Sequence, residues 1–149
     1  MFQFLITRVI SREIYIQKPA KIEFDLIKQL INLYELDNRD LYIEQFLVAK
    51  ENNQLLGFGR IKTHKECDEL CSLGVLETMR CQGIAKLLVK VTVEMAVRPI
   101  YLVCIIPEYF QKLGFVIVNH FPDEIEHKLN YCTSELKVPE KYVVMKFEP

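Results

Sequence analysis

Apolar positions along this chain fall into runs whose period changes from one stretch to the next. Residues 2–9, FQFLITRV, crowd them together as a strand does. Between residues 21 and 34, Ile22, Leu26, Leu30 and Leu33 return at helical spacing, with Lys21, Asp25, Lys28 and Asn32 on other faces; the spacing predicts a helix. FLVAK (46–50) and QLLGFGRIK (54–62) flank ENN, which predicts a hairpin although its turn lacks the favoured glycine. ELCSLGVL (69–76) predicts a further strand of the same kind.

After Gly83 the period lengthens. IAKLLVKVTVEMAV (84–97) is apolar except for Lys86, Lys90, Thr92 and Glu94. Lys86, Lys90 and Glu94 are four apart and form one solvated stripe on a helix that is otherwise buried. Its β-branched valines oppose the helix, so packing has to decide, and Arg98-Pro99 ends it. IYLVCII (100–106) reads as a buried strand, and PEYFQKLG (107–114) as a short helix with Pro107 at its start and Gly114 at C′. A strand FVIVN (115–119), a helix PDEIEHKLNY (122–131) and a strand KYVVMKF (141–147) follow. The expected fold is α+β: a mixed, mostly antiparallel sheet of about six or seven strands between helices on both faces.

Composition narrows this picture. At 149 residues one domain over residues 1–149 is expected, and with half of them apolar it needs no disulfide or metal staple. The net charge of −1 gives no general attraction to nucleic acid. Five cysteines without a C-x-x-C favour neither a disulfide framework nor a zinc ribbon. His64, Cys67 and Cys71 could form a metal cluster, but unrelated residues on a loop and a strand are the simpler reading, so no metal is expected. Free thiols point to a reducing compartment. No targeting pattern is visible, and the longest apolar run is too short to span a bilayer. The expectation is a cytoplasmic protein without membrane or nucleic-acid partners.

The chemistry concentrates in ELCSLGVLETMRCQGIAKLLV, where a strand runs into Arg80-x-x-Gly83-x-Ala85 and a helix opens. The first amides of a helix have no internal partner. Glycine and alanine let an anion approach them, and the helix dipole adds about 0.3–1 kcal/mol for a negative charge. Arg80 and Lys86 bring full positive charges, so the turn can hold a pyrophosphate. It is neither a Walker motif nor a dinucleotide fingerprint. A plain strand–helix turn is the competing reading.

With its flanks, this stretch resembles the GNAT superfamily of acyl-CoA-dependent N-acyltransferases, whose central motif V-x-x-x-x-[QR]-x-x-G-x-[GA] is matched by Val75 to Ala85. The downstream YLVCIIPEYFQKLGF is similar to the family's second motif, and the likeness is best over residues 46–118. The resemblance implies an acetyl-CoA co-substrate. Its pantetheine arm would lie along the fourth predicted strand on main-chain groups of Leu73 and Val75. Its pyrophosphate would meet the amides of Arg80, Cys81, Gln82, Gly83, Ile84, Ala85 and Lys86. The fourth and fifth predicted strands (69–76 and 100–106) would splay to seat the thioester.

The resemblance also implies direct attack by an amine, which must first lose a proton. At pH 7 that costs about 4.6 kcal/mol for a lysine amine and about 1.4 kcal/mol for an α-amine. Glu69 is the candidate base; two-residue alternation would set it on one face with Cys71, Leu73 and Val75. An exposed edge-strand carboxylate is the structural reading, and Glu77 and Asp68 are weaker candidates. The family's general-acid tyrosine position holds Phe110. The adjacent Tyr109, the candidate acid here, would point about 100° away, as a packing residue would. Ala85 replaces a second glycine, and Glu77 stands where proline is common. Glu69-Leu70-x-x-Leu73-x-Val75 and the carboxyl-terminal part are similar to the N-acetylglutamate-synthase-like subgroup, which tilts the acceptor towards a small amino acid or metabolite. Such an acceptor needs a cation for its carboxylate; Arg60 and Lys62 are candidates, against the reading that both are solvated surface charges. The rival readings are a protein lysine or N-terminal acetyltransferase, a non-catalytic CoA-binding sensor, and a plain interaction protein. A homodimer is left open.

Overall fold

The computed structural model describes residues 5–9 and 12–149; residues 2–4 of the first predicted strand lie outside the described residues. The chain runs β1 (Leu5–Val9), β2 (Arg12–Gln17), α1 (Lys21–Leu33), β3 (Phe46–Glu51), β4 (Gln54–Thr63), β5 (Asp68–Val75), α2 (Ile84–Glu94), β6 (Ile100–Cys104), α3 (Pro107–Gln111), β7 (Val116–Ile117), α4 (Asp123–Glu135) and β8 (Val143–Phe147). The strands form one sheet in the order β1-β2-β3-β4-β5-β6-β8-β7. Every neighbouring pair is antiparallel except β5–β6, which is parallel. The α+β expectation holds, with β2 as the strand the pattern missed. Its Ile14 and Ile16 are buried and alternate with Glu13, Tyr15 and Gln17, a two-residue period that Tyr15 blurs.

Alternation along β3 assigns the helices to opposite faces. Leu47 and Ala49, with Ile14 and Ile16 of β2, pack against Ile84, Leu88 and Val91 of α2. Phe46 and Val48 pack against Ile27, Leu30 and Ile31 of α1. On β6, Leu102 joins Phe110 of α3 on the α2 side, whereas Tyr101 joins Ile125 of α4. The α1 helix is present, but its expected inward face is corrected. Ile27, Leu30 and Ile31 are buried, while Ile22 is 80 % exposed and Leu33 is also exposed.

Local chemistry explains the turns. The β3–β4 hairpin has Asn52 and Asn53 in the left-handed region (φ 48° and 65°). Asparagine tolerates that conformation, so the hairpin needs no glycine. Gly114 (φ 96°) terminates α3: its N–H reaches Gln111 O at 3.2 Å while Phe115 N–H reaches Phe110 O at 3.1 Å. That bond pair is a Schellman closure with glycine at C′, as the sequence predicts.

A bulge in β5 shapes the site. Phe58 pairs with Gly74 but Arg60 pairs with Cys71, so Ser72 and Leu73 together oppose Gly59. Ser72 takes φ 46°, the left-handed conformation of a bulge residue.

Candidate active site

The helix α2 begins without a side-chain cap. Gly83 occupies the N-cap in the left-handed region (φ 83°), and the first intrahelical bond runs from Leu87 N–H to Gly83 O at 3.0 Å. The amides of Ile84, Ala85 and Lys86 therefore have no partner within the helix. The first turn of α2 contains no acidic residue, whereas α1 has Glu23 there and α4 has Asp123, Glu124 and Glu126. With Glu108 in α3, three helices carry a carboxylate at their positive ends and α2 carries none.

Gln82 is steered from β2: Arg12 donates to its Oε1 and forms a bidentate pair with Glu51 at 2.8 and 2.7 Å. The Arg80 guanidinium lies 4.7 Å from the Tyr34 ring centre, and its Nε donates to Val75 O at 3.1 Å. A cleft of about 650 Å³ runs past this helix end, lined by Leu73, Val75, Arg80, Cys81, Gly83, Ile84, Ala85 and Lys86 and closed by Tyr109 and Phe110. Eight of the nine residues expected to hold the co-substrate line one space. The ninth, Gln82, adjoins it.

The cleft leads to a break in the sheet. β5 and β6 pair only at Asp68↔Ile100 and Glu69↔Tyr101. Beyond Glu69 the two strands part, as the splayed arrangement requires. Leu76 N–H donates to Leu56 O on β4 at 2.9 Å. Alternation then turns the main chain of Val75, and of Leu73 before it, towards the gap. Arg80 engages one lone pair of the Val75 carbonyl.

A second cleft of about 760 Å³ opens on the α1–α4 side. It shares Tyr34, Leu36, Leu73, Ile106 and Phe110 with the first, so the two spaces meet at the strand gap. Asp37, Cys71, Ser72, Lys128 and Cys132 form its polar wall.

Glu69 is 2 % exposed on an interior strand, so it is not the solvated edge carboxylate of the structural reading. Its face also differs from expectation. Leu73 packs with Leu70 and α2, whereas Ser72 Oγ donates to Asp37 O at 2.8 Å on the opposite side. The bulge moves Leu73 and Val75 off the face of Glu69 and Cys71. His64 Nε2 lies 2.9 Å from Glu69 Oε1, while the buried Oε2 has no hydrogen-bond partner among the described residues and stands 3.7 Å from Lys128 Nζ. Glu69 lines neither cleft and stands behind their walls. Asp68 is paired with Arg98 Nε at 3.3 Å, and Glu77 is exposed.

A charged cluster around Lys128 forms from residues that no motif in the sequence joins. Its Nζ lies 2.7 Å from Asp37 Oδ2, and Asp37 also accepts from Arg39 Nε at 2.9 Å and Nη2 at 2.7 Å. The Arg39 guanidinium lies 3.5 Å from the Tyr131 ring centre. Burial alone would raise the Asp37 carboxyl, but Arg39 and Lys128 outweigh it and hold it well below the usual carboxylate range. Burial would lower Lys128, yet the carboxylates of Asp37 and Glu69 prevail and raise it. Burial pushes the Cys71 thiol up to about 12, so it stays protonated at neutral pH. The legible sign was α4 itself: Lys128 sits between Ile125 and Cys132 on the helix's buried face.

Arg60 corrects the expected carboxylate-binding pair. It is fully buried, donating to Gln45 Oε1 and to the carbonyls of Arg39 and Asp40 at 2.7–2.9 Å. It fastens the segment carrying Asp37 and Arg39, and neither it nor Lys62 lines a cleft. Tyr109 packs edge-on against Phe110 at 5.1 Å and lines only the first cleft, where burial raises its hydroxyl. Among the described residues, His64, Cys67 and Cys71 form no metal-holding group, and no helix is long and apolar enough to cross a membrane.

Comparisons with known proteins agree with this geometry. The sequence profile of the acetyltransferase (GNAT) family matches residues 12–115. A search of curated protein sequences gave no match. The structure is similar to N-acetylglutamate synthase from Neisseria gonorrhoeae complexed with coenzyme A and L-arginine (TM-score 0.73, 16 % identity), covering 91 % of this chain and 33 % of that one. The chain thus spans about a third of that synthase's length. Rv2747 from Mycobacterium tuberculosis, solved with CoA, gives a TM-score of 0.69 at 17 % identity over 90 % of this chain and 98 % of its own. Arabidopsis thaliana Naa50, with the bisubstrate analogue CoA-Ac-MVNAL, gives 0.66 at 18 % identity over 91 % and 99 %. At these identities the likeness speaks for the fold.

Proposed function

The chain belongs to the acetyltransferase (GNAT) family, and from that premise we propose that it moves an acetyl group from acetyl-CoA to the primary amine of a small molecule, an amino acid or related metabolite. The observation that carries this reading is the meeting of the uncapped α2 end with the gap that opens after Glu69↔Tyr101.

The amides of Ile84, Ala85 and Lys86 bind the pyrophosphate, with the Lys86 charge beside them, and the main chain of Leu73 and Val75 receives the pantetheine arm. Arg80 must then share or release the Val75 carbonyl. The thioester reaches the gap beside Leu73 and Phe110, where the second cleft delivers the amine. The amine nitrogen forms a bond to the acetyl carbon, the carbon–sulfur bond breaks, and coenzyme A leaves as a thiolate. One proton leaves the nitrogen and one reaches the sulfur.

Glu69 is the base in this scheme. Its Oε2 makes no hydrogen bond among the described residues, and because Glu69 stands behind the cleft wall, the proton reaches it through a bridging water. Phe110 has no proton to give, so the thiolate is protonated by Tyr109 or by solvent. Phe110 and the recessed Glu69 also favour a second reading, a CoA-binding module without catalysis. Thiol release over a panel of amines separates the two: steady release dependent on an amine supports the enzyme, and acetyl-CoA binding without release supports the module.

A further inference from the structure

We propose that Lys128 binds a carboxylate on the acceptor and so selects amino acids over simple amines; this rests on the acyl-transfer reading and deepens it. An amino-acid acceptor needs a cation in the second cleft. Arg60 turns its Nε and Nη2 to the 39–45 segment and lies outside both clefts. Lys137 stands exposed at the rim, where solvent screens its charge.

Lys128 lines the same cleft as Leu73 and Phe110, which border the strand gap, so one small molecule can reach both places. Its side chain is 7 % exposed, so its field acts with little screening. A lysine ammonium has three N–H donors. Asp37 Oδ2 at 2.7 Å takes one, and Glu69 Oε2 at 3.7 Å is beyond hydrogen-bond length. The other two find no hydrogen-bond partner among the described residues. The carboxylates are anchored elsewhere, Asp37 by Arg39 and Glu69 Oε1 by His64, so they fix the ammonium without enclosing it. Its acidic neighbours keep Lys128 charged at neutral pH.

The test compares each of the common amino acids with its carboxamide, which keeps the shape and removes the charge. In the wild-type protein the best amino acid should exceed its amide in kcat/KM by about ten-fold or more, the scale of one charge-assisted hydrogen bond. In Lys128→Met that ratio should fall to about one, with the KM for acetyl-CoA unchanged. Equal use of acid and amide by the wild type overturns the proposal, as does a ratio that survives in the variant. If Lys128→Met does not fold, the wild-type ratio decides alone. If acetyl-CoA binds and no amine releases thiol, the acyl-transfer reading falls. Lys128 is then judged by thermal stabilisation of the CoA-loaded protein: a shift with amino acids but not amides upholds the cation site, and no difference removes it.

Discussion

The ammonium of Lys128 lies 2.7 Å from the carboxylate of Asp37, a residue 91 positions earlier in the chain. The contact joins α4 to the segment after α1 through a buried charge pair, with Arg39 as the second cation. Removing one partner leaves the others charged without their match, and Asp37→Ala should cost about 3–5 kcal/mol of stability. Urea unfolding monitored by far-UV circular dichroism measures it; an unchanged midpoint would show that the pair contributes nothing.

The same carboxylate sets an acid limb. Its folded pKa is depressed, so its contribution is complete above the ordinary carboxylate value near 4 and is lost as pH falls towards the lower folded value. The melting temperature of the wild type should therefore fall on acidification below about pH 4. Asp37→Asn should be less stable at neutral pH and should show a shallower acid decline. Parallel wild-type and variant curves from pH 2 to pH 7 would contradict this.

Glu69→Gln keeps the shape and the hydrogen bond to His64 but removes the base. The rate at saturating amine should drop about 10²-fold or more, with acetyl-CoA affinity preserved. Steady-state kinetics with calorimetry on the same sample decides it, and an undiminished rate would take Glu69 out of the mechanism.

Gly74 is fixed by packing rather than by its backbone angles. A Cβ there would stand 2.5 Å from the Phe58 ring, beneath α1. Gly74→Ala should destabilise the protein by about 1–3 kcal/mol through overpacking at the β4–β5 ladder. A thermal midpoint equal to the wild type would show that Phe58 moves aside freely.

What could be read from the sequence follows how local each feature is. The turn from Arg80 to Lys86 was legible because a helix N-terminus, a glycine and two cations lie within seven residues. The strand gap was legible only through family resemblance, since no residue announces where pairing stops. The bulge at Ser72 was not: nothing in ELCSLGVL marks a left-handed serine, and one extra residue reverses every later side chain. Arg60 looked like a surface charge because alternation cannot foresee the carbonyls of Arg39 and Asp40 folding over it. Lys128, Asp37 and the His64–Glu69 pair come from three separate segments, and only the fold brings them together.

Calorimetric titration of acetyl-CoA into the wild type and into Gly83→Val decides whether the α2 end seats the pyrophosphate. The left-handed N-cap of Gly83 disfavours a side chain, and a branched one would crowd the phosphate seat. One molecule should bind per chain with a dissociation constant below about 100 µM in the wild type, weakened at least about ten-fold in the variant. Absence of binding to a folded wild-type protein at millimolar acetyl-CoA, or equal affinity in both, would contradict it.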